Sequence, residues 1–478
     1  MSHQPTTPRR IAVAGGGISG LAAAHRLVEL DHTLDVVLLE SGSRLGGVLS
    51  TVHHDGFQVE QSADNFITTV PWGVDLAKRL GMADELMQTN PRHRQTYVVC
   101  RGRLAKLPDG FLMMAPTRLW PLALTPILSP LGKLRAAMEY FIPPRRSEED
   151  ESMASFVRRR LGREAFDRLV EPLVSAVYAA DMEKLSVQAT LSRFRDMERE
   201  HGSLIRAMRQ QVKSRRKMKH ESGARYSMFV TLRRGLASMV EAIAARLPEG
   251  TVRRGTSVER LQRQSTGRWA LSLGDGTREQ FDAVILATPA HAAAQLLQPV
   301  DTELAGLLSG IEHSGTAIVS VGYERGQIAH PLDGMGVVVP GVEKSPILAC
   351  SFSSQKYAHR APEGKVLLRV FVGGARRPEL AEMDDNALRP LVLDDLARLL
   401  GIRGEPVFSS IAHWPRTMPQ YHVGHKQLVE RIMGRVSQLP GIELTGNAYR
   451  GVGIPDCIDG GEQAARRVLT ARVRRSAS

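Results

Sequence analysis

An α/β fold is predicted by three well-separated stretches of the chain. Residues 10–40 read as strand, glycine turn, helix and strand. The run from Ala283 to Pro289 reads as a short, fully buried strand, and Ile442 to Leu469 reads as strand, glycine-rich turn and helix. Short apolar runs without alternation suit strands buried on both faces of a helix-covered parallel sheet. Because these stretches are interrupted, the sequence predicts a discontinuous Rossmann-like domain accompanied by an α+β domain and a helical insert. The expected parts are 9–70, 221–295 and 438–472 for the Rossmann-like domain, 71–95 and 296–437 for the α+β domain, and 96–220 for the insert. A chain of 478 residues is long enough to need more than one core.

Each element has a local reason. Ile11-Ala12-Val13-Ala14 forms a strand, Ile18 to Leu30 an apolar helix, and Val36 to Leu39 a second strand ending at Glu40. Residues 92–220, rich in Arg, Leu and Met at helical spacing, are expected to be mostly helical. Leu236 to Leu247 is an amphipathic helix stopped by Pro248. Ser257 to Leu261 and Trp269 to Leu273 read as strands separated by glycine turns. The runs Ala317–Tyr323, Gly336–Val339 and Val366–Val372 alternate as antiparallel strands do.

Composition narrows the function classes. Cys100, Cys350 and Cys457 stand far apart without a CxxC pair, which excludes a disulfide scaffold and a zinc ribbon and suits a reducing cytoplasm. No metal site is expected. Lys+Arg outnumber Asp+Glu 63 to 50, a net charge of +13 that favours anionic partners. Part of the excess lies in Arg158-Arg159-Arg160 and in the run from Arg206 to Lys219, both expected on solvated helical faces. Without interleaved aromatic residues they make no base-stacking platform, so nucleic acid is not an expected partner. Arg9-Arg10 followed by an apolar run imitates a secretory signal, but three successive glycines make a poor apolar helix. The uncharged run Leu119 to Gly132 is short and contains three prolines, too broken to cross a bilayer.

The turn Gly15-Gly16-Gly17-Ile18-Ser19-Gly20 lies between strand and helix, where a dinucleotide needs it. Gly15 permits the tight turn, Gly17 lets backbone approach a pyrophosphate, and Gly20 allows helix and strand to pack closely. Amides at the helix start would face the phosphates. Glu40, followed by Ser41, closes the second strand where a carboxylate can accept from ribose hydroxyls.

Just beyond, ESGSRLGG sets Arg44 before Gly46-Gly47, and this resembles the second glycine signature of the flavin amine-oxidase-like family. The resemblance implies FAD rather than NAD, with Arg44 near the pyrophosphate. In that family the turn matching Gly446-Asn447…Gly451-Val452-Gly453-Ile454-Pro455-Asp456 sets backbone N–H groups against the flavin pyrimidine ring. Those dipoles would stabilise reduced flavin.

A closer resemblance spans nearly the whole chain. It is carried by LVEPLVSAVYAADMEKLS (Leu169 to Ser186), Arg103 to Pro108, His413-Trp414…Pro419-Gln420-Tyr421…Gly424-His425 and Gly451 to Ile458. These are similar to the oxygen-dependent, FAD-containing porphyrinogen oxidases, which act on coproporphyrinogen III or protoporphyrinogen IX. The resemblance implies a six-electron oxidation of a tetrapyrrole, O₂ as acceptor and hydrogen peroxide as product. It places backbone at Ser62-Ala63-Asp64-Asn65 near the flavin ring, Val258 at the adenine, Trp414 beside the isoalloxazine, and Val452, Gly453 and Ile454 at its other end. Relatives carry Gly-Pro where this chain has Ser62-Ala63. Val258 and Trp414 are alternatively core residues. No acid–base pair stands out, and His413 and His425 read as structural.

Thr96 matches a position that is Arg in the protoporphyrinogen branch and small and polar in the coproporphyrinogen branch, which favours coproporphyrinogen III. Arg94, two positions earlier, keeps the other substrate open. Residues 111–142 match a part that lies on membranes in some relatives. The flanking Arg118, Lys133 and Arg135 are expected to meet anionic lipid. The expected location is the cytoplasm, with peripheral membrane contact. An amine oxidase, a carotenoid desaturase and a non-catalytic FAD scaffold remain as rivals, separable by porphyrin fluorescence and substrate-dependent O₂ uptake.

Overall fold

The computed structural model describes residues 8–210 and 228–470. In chain order, strand β1 (Arg10–Ala14), helix α1 (Ile18–Leu30) and strand β2 (Asp35–Glu40) are followed by helix α2 (Trp72–Arg79). Strands β3 (Gln95–Cys100) and β4 (Arg103–Lys106) precede the helical region, which includes α3 (Met153–Leu161). Then come β5 (Val252–Arg254), β6 (Ala283–Leu286), β7 (His313–Glu324), β8 (Gly334–Val338), β9 (Ile347–Phe352), β10 (Lys365–Gly373) and β11 (Phe408–Pro419). Helix α4 (His425–Val436), strand β12 (Ile442–Leu444) and helix α5 (Ile454–Thr470) complete the fold.

Two sheets organise these elements. The first is all-parallel in the order β5-β2-β1-β6-β12, so it collects strands from three distant parts of the sequence. Ile11, Ala12, Val13, Val284 and Ile285 are fully buried because helices or a second sheet cover both faces. One face carries α1 and α5, which approach so closely that a methyl group on Gly461 would strike the Ser19 carbonyl oxygen. The other face carries the small antiparallel sheet of Val258–Arg263, Trp269–Leu273 and Arg278–Phe281. The second large sheet runs β11-β7-β10-β9-β8-β3-β4 and is antiparallel except between β8 and β3.

Several boundaries differ from expectation. The insert does not begin at 96, because β3 and β4 form the edge of the second sheet, with Tyr97, Val98 and Val99 buried. Alternation there is masked by Arg101-Gly102, a turn in which both residues have positive φ. Residues 71–82 pack with the parallel sheet: Val74, Leu76, Ala77, Leu80 and Met82 share a core with β1 and α1. At the other boundary, Leu304 and Leu308, and Val429, Ile432 and Val436 of α4, join the core on the opposite face of that sheet. Each is an amphipathic segment whose apolar face could serve either layer, and only tertiary packing decides which.

Arg158-Arg159-Arg160 is not a solvated face. Three successive helical residues sweep about 200° around the axis, so one of them turns inward. Arg160 is fully buried against Glu139 and Glu198, and Arg159 pairs with Glu198 at 2.5 Å and Glu151 at 2.7 Å. Arg135 is likewise spent, donating to the carbonyls of Arg158, Arg159 and Arg160 at the C-terminus of α3 rather than standing free. Residues 211–219 of the other basic run lie outside the described residues.

Candidate active site

The glycine turn sits at the carboxyl ends of β1 and β6. Gly15 takes φ +107°, and a methyl group there would lie 2.7 Å from the Ala287 carbonyl oxygen. Gly20 packs its Cα on the Gly15 carbonyl, with no room for a side chain. At Gly17, by contrast, an added methyl group would meet nothing nearer than the Gly47 Cα at 4.0 Å. Helix α1 starts with Ile18 and Ser19 buried, no side-chain cap and no acidic residue in its first turn. Its positive end therefore carries no side-chain cap or acid from its own first turn, as an anion site requires.

Glu40 joins two loops. One carboxylate oxygen accepts from Gly16 N–H at 2.7 Å and the other from Gly42 N–H at 2.6 Å, while the Ser41 hydroxyl stands 3.4 Å away. Backbone bonds from Gly255 to Gly42 and from Thr256 to Glu40 bring in the loop before Val258. Val258 itself opens a strand opposite Leu273, half-buried against the core. Gly46 N–H donates to Gly16 O at 2.8 Å. Arg44 folds over this second glycine turn, donating to Gly47 O at 2.5 Å and Leu49 O at 3.1 Å. Its guanidinium lies 5.8 Å from the Trp414 ring centroid.

Trp414 links this region to residues 61–65, because its indole N–H donates to Gln61 O at 2.6 Å. Arg369 of β10 donates to Ser62 O, and the Asp64 carboxylate is gripped by Lys356 at 3.1 Å and accepts from Asn65 at 2.6 Å. Burial opposes the Asp64 charge, but Lys356 and Arg369 outweigh it and hold the carboxyl below its ordinary range. Ala63 is exposed. On the far side, the Tyr421 hydroxyl donates to Asn447 O, and Asn447 donates to Thr417 O at 3.1 Å, fixing the C-terminal turn to β11. Val452 leans on the core of the helical insert, while Ile454 enters the core under α1. Asp456 fills the space beside Gly451 and Gly453, and burial raises its carboxyl above the ordinary range.

The structure thus gathers Glu40, Arg44, Gly46, Gly47 and the glycine turn in one place, and ties Trp414 to both Arg44 and residues 61–65. Two buried basic residues, Arg360 and Arg369, and the half-buried Lys356 were missed. The signal was a charge within KVLLRVFVG, where every strand neighbour is apolar and the cation must be buried. His425 is stacked on Tyr421 at 4.0 Å, and burial lowers it to about 4. His413 bridges Ala381 O and Asp385. The Cys350 and Cys457 thiols are pushed up to about 12 by burial, which leaves them poor nucleophiles.

Comparison with known proteins now decides the family. The profile of flavin-containing amine oxidoreductases matches residues 18–469. The chain belongs to that family. It is an FAD-dependent oxidoreductase, and the cradle at α1 is of the kind its cofactor needs. The chain is 35% identical to the coproporphyrinogen III oxidase of Bacillus subtilis (strain 168), over 97% of this chain and 98% of that one. The coproporphyrinogen III oxidase of Staphylococcus aureus is 32% identical, over 96% and 99%. The chloroplastic protoporphyrinogen oxidase of Nicotiana tabacum stands at 28%, over 97% and 86%. A crystal structure from Exiguobacterium sp. 255-15, provisionally assigned to protoporphyrinogen oxidation, superposes with a TM-score of 0.87 at 31% identity, covering 98% and 99%.

Proposed function

We propose that this flavoprotein oxidises a porphyrinogen to a porphyrin in haem biosynthesis, with coproporphyrinogen III as the preferred substrate. The observation that carries the reading is full-length similarity to coproporphyrinogen III oxidases, above that to the plant protoporphyrinogen oxidases. Thr96, on β3, supports it because the coproporphyrinogen branch has a small polar residue at the matching position. The stoichiometry is porphyrinogen plus three O₂ giving porphyrin plus three H₂O₂. The bound flavin supplies the hydride acceptor.

The chain's own residues orient and seal the site. Amides at Gly17, Ile18 and Ser19 would hold the diphosphate, Glu40 and Ser41 the ribose, and Val258 the adenine by backbone, while the Gly16 amide stays committed to Glu40. Arg44, Gly46 and Gly47 would close over the pyrophosphate. Trp414, Ser62, Ala63, Asp64 and Asn65 would border the ring on one side, with Val452, Gly453 and Ile454 on the other. The parts 9–82, 228–309 and 425–470 would form the cofactor domain, and the second sheet with the helical insert the substrate domain. We place the protein in the cytoplasm with peripheral membrane contact. Supporting that contact, Trp120, Leu124, Leu131, Leu134 and Phe141 are each exposed on successive short helices. No helix among the described residues is long and apolar enough to span a membrane.

The test is a side-by-side rate measurement by porphyrin fluorescence. Faster oxidation of coproporphyrinogen III is expected. A faster rate with protoporphyrinogen IX would reverse the preference, and no fluorescence rise with either would overturn the reading.

A further inference from the structure

Beneath residues 60–65 lies more positive charge than the protein itself pairs. Lys356 and Arg369 share Asp64, with Arg369 Nη1 at 3.4 Å from its carboxylate. Arg360 meets Glu60 at 3.6 Å. These are three cations against two carboxylates. Arg360, Arg369 and Glu60 are all but inaccessible to solvent, and Lys356 and Asp64 nearly so. One cation is surplus even if both acids are ionised. Burial raises the Glu60 carboxyl above its ordinary range.

The donors are also unspent. Among the described residues, Nε and Nη1 of Arg369 and Nη1 of Arg360 have no hydrogen-bond acceptor. The buried hydroxyls of Ser62 and of Ser351, which stands opposite Arg369 between β9 and β10, have no partner either. A buried, underpaired cation is unfavourable unless an anion joins it. Arg369 donates to Ser62 O and Trp414 to Gln61 O, so the cluster is fixed to the backbone proposed to border the flavin ring.

We infer that Lys356 and Arg369 are positioning residues that supply the counter-charge for reduced flavin, raising its reduction potential, and that Asp64 moderates them. The inference rests on the reading that Ser62–Asn65 lie beside the ring. Two-electron reduction with uptake of one proton leaves the flavin one negative charge, the substrate being the reductant. A preorganised cation nearby favours that form over the neutral oxidised one.

The experiment is a dye-equilibrated reductive titration of the purified holoenzyme and three variants. Lys356→Met is expected to lower the midpoint potential by about 30 mV, the equivalent of a tenfold loss in relative affinity for reduced flavin. Asp64→Asn is expected to raise it, and Lys356→Arg to leave it near wild type. Opposite signs for Lys356→Met and Asp64→Asn are the signature, since a purely structural role would lower thermal stability in both without them. Unchanged potentials with flavin retained, shifts of the same sign, or an unchanged potential with a raised KM would overturn the inference. The last of these outcomes would mean that the cations meet a substrate carboxylate. Should Lys356→Met not retain flavin, Asp64→Asn alone decides. If wild type oxidises neither porphyrinogen while the opposite shifts persist, the substrate reading fails and this inference stands.

Discussion

Gly17 and Gly461 both border the start of α1, yet a methyl group would meet different surroundings at each. At Gly461 it collides with the Ser19 carbonyl oxygen, a backbone atom that cannot swing aside. Gly461→Ala should therefore cost about 1–3 kcal/mol through overpacking, read as a lower Tm with or without flavin. At Gly17 the same methyl group enters open space, and φ of −68° suits alanine. Gly17→Ala should leave the Tm of flavin-free protein unchanged while flavin retention on gel filtration falls. Equal loss of Tm in both variants would contradict this division. These glycines were legible because their constraints are local: spacing along one strand, turn and helix specifies them. Lys356 and Arg369 were not, because their partners Asp64 and Ser62 stand 292 and 307 residues away. Only the apolar setting of Arg369 within its strand hinted at a buried role.

Among elements, α3 shows why a charge run misleads. Arg160 is fully buried, and its partner Glu139 also accepts from the Ser203 hydroxyl at 2.6 Å and from the amides of Leu204 and Ile205. That one carboxylate receives the first amides of the helical residues 204–210 and pairs with Arg160, two duties no single-residue pattern reveals. Glu139→Ala leaves Arg160 buried without its nearest anion, at a cost of about 3–5 kcal/mol, to be seen as an earlier urea transition. A second element-level tie joins β11 to the segment before the helix Asp385–Leu400. His413 presents one ring nitrogen to Ala381 O at 2.9 Å and the other to Asp385 at 2.7 Å, so both acceptors are met only by the imidazolium. Burial opposes that charge, but Ala381 O and Asp385 outweigh it and raise the pKa above the ordinary value. A raised folded-state pKa gives stability that is full below about pH 6.5 and lost as pH rises through the folded value. The Tm difference between wild type and His413→Gln should accordingly be largest near about pH 5.5 and shrink toward about pH 9. A difference that grows with pH would refute the assignment.

Across the whole molecule, the centre of the parallel sheet was legible because β1, β2 and β6 each hold an unbroken apolar run, whereas the edge strand β5, Val-Arg-Arg, carries no such signal. The second sheet was only partly so: β3 and the edge strand β4 alternate weakly and precede a long helical region that masks them. Helices such as α4 have one apolar face and do not announce which layer they will cover. The same ambiguity attends the exposed apolar helices, where Trp120 is 72% and Phe141 78% exposed. Lipid contact there would combine apolar insertion with attraction to anionic headgroups. Arg135, expected to supply part of that attraction, is instead committed to the carbonyls of α3, which shifts the balance toward insertion. Sedimentation with vesicles containing anionic lipid should therefore persist when salt is raised to about 0.5 M, where exposed charges are strongly screened. It should be abolished when Trp120, Leu131 and Phe141 are replaced together by Ser. Binding that disappears with salt but survives the triple substitution would assign the contact to the basic surface instead.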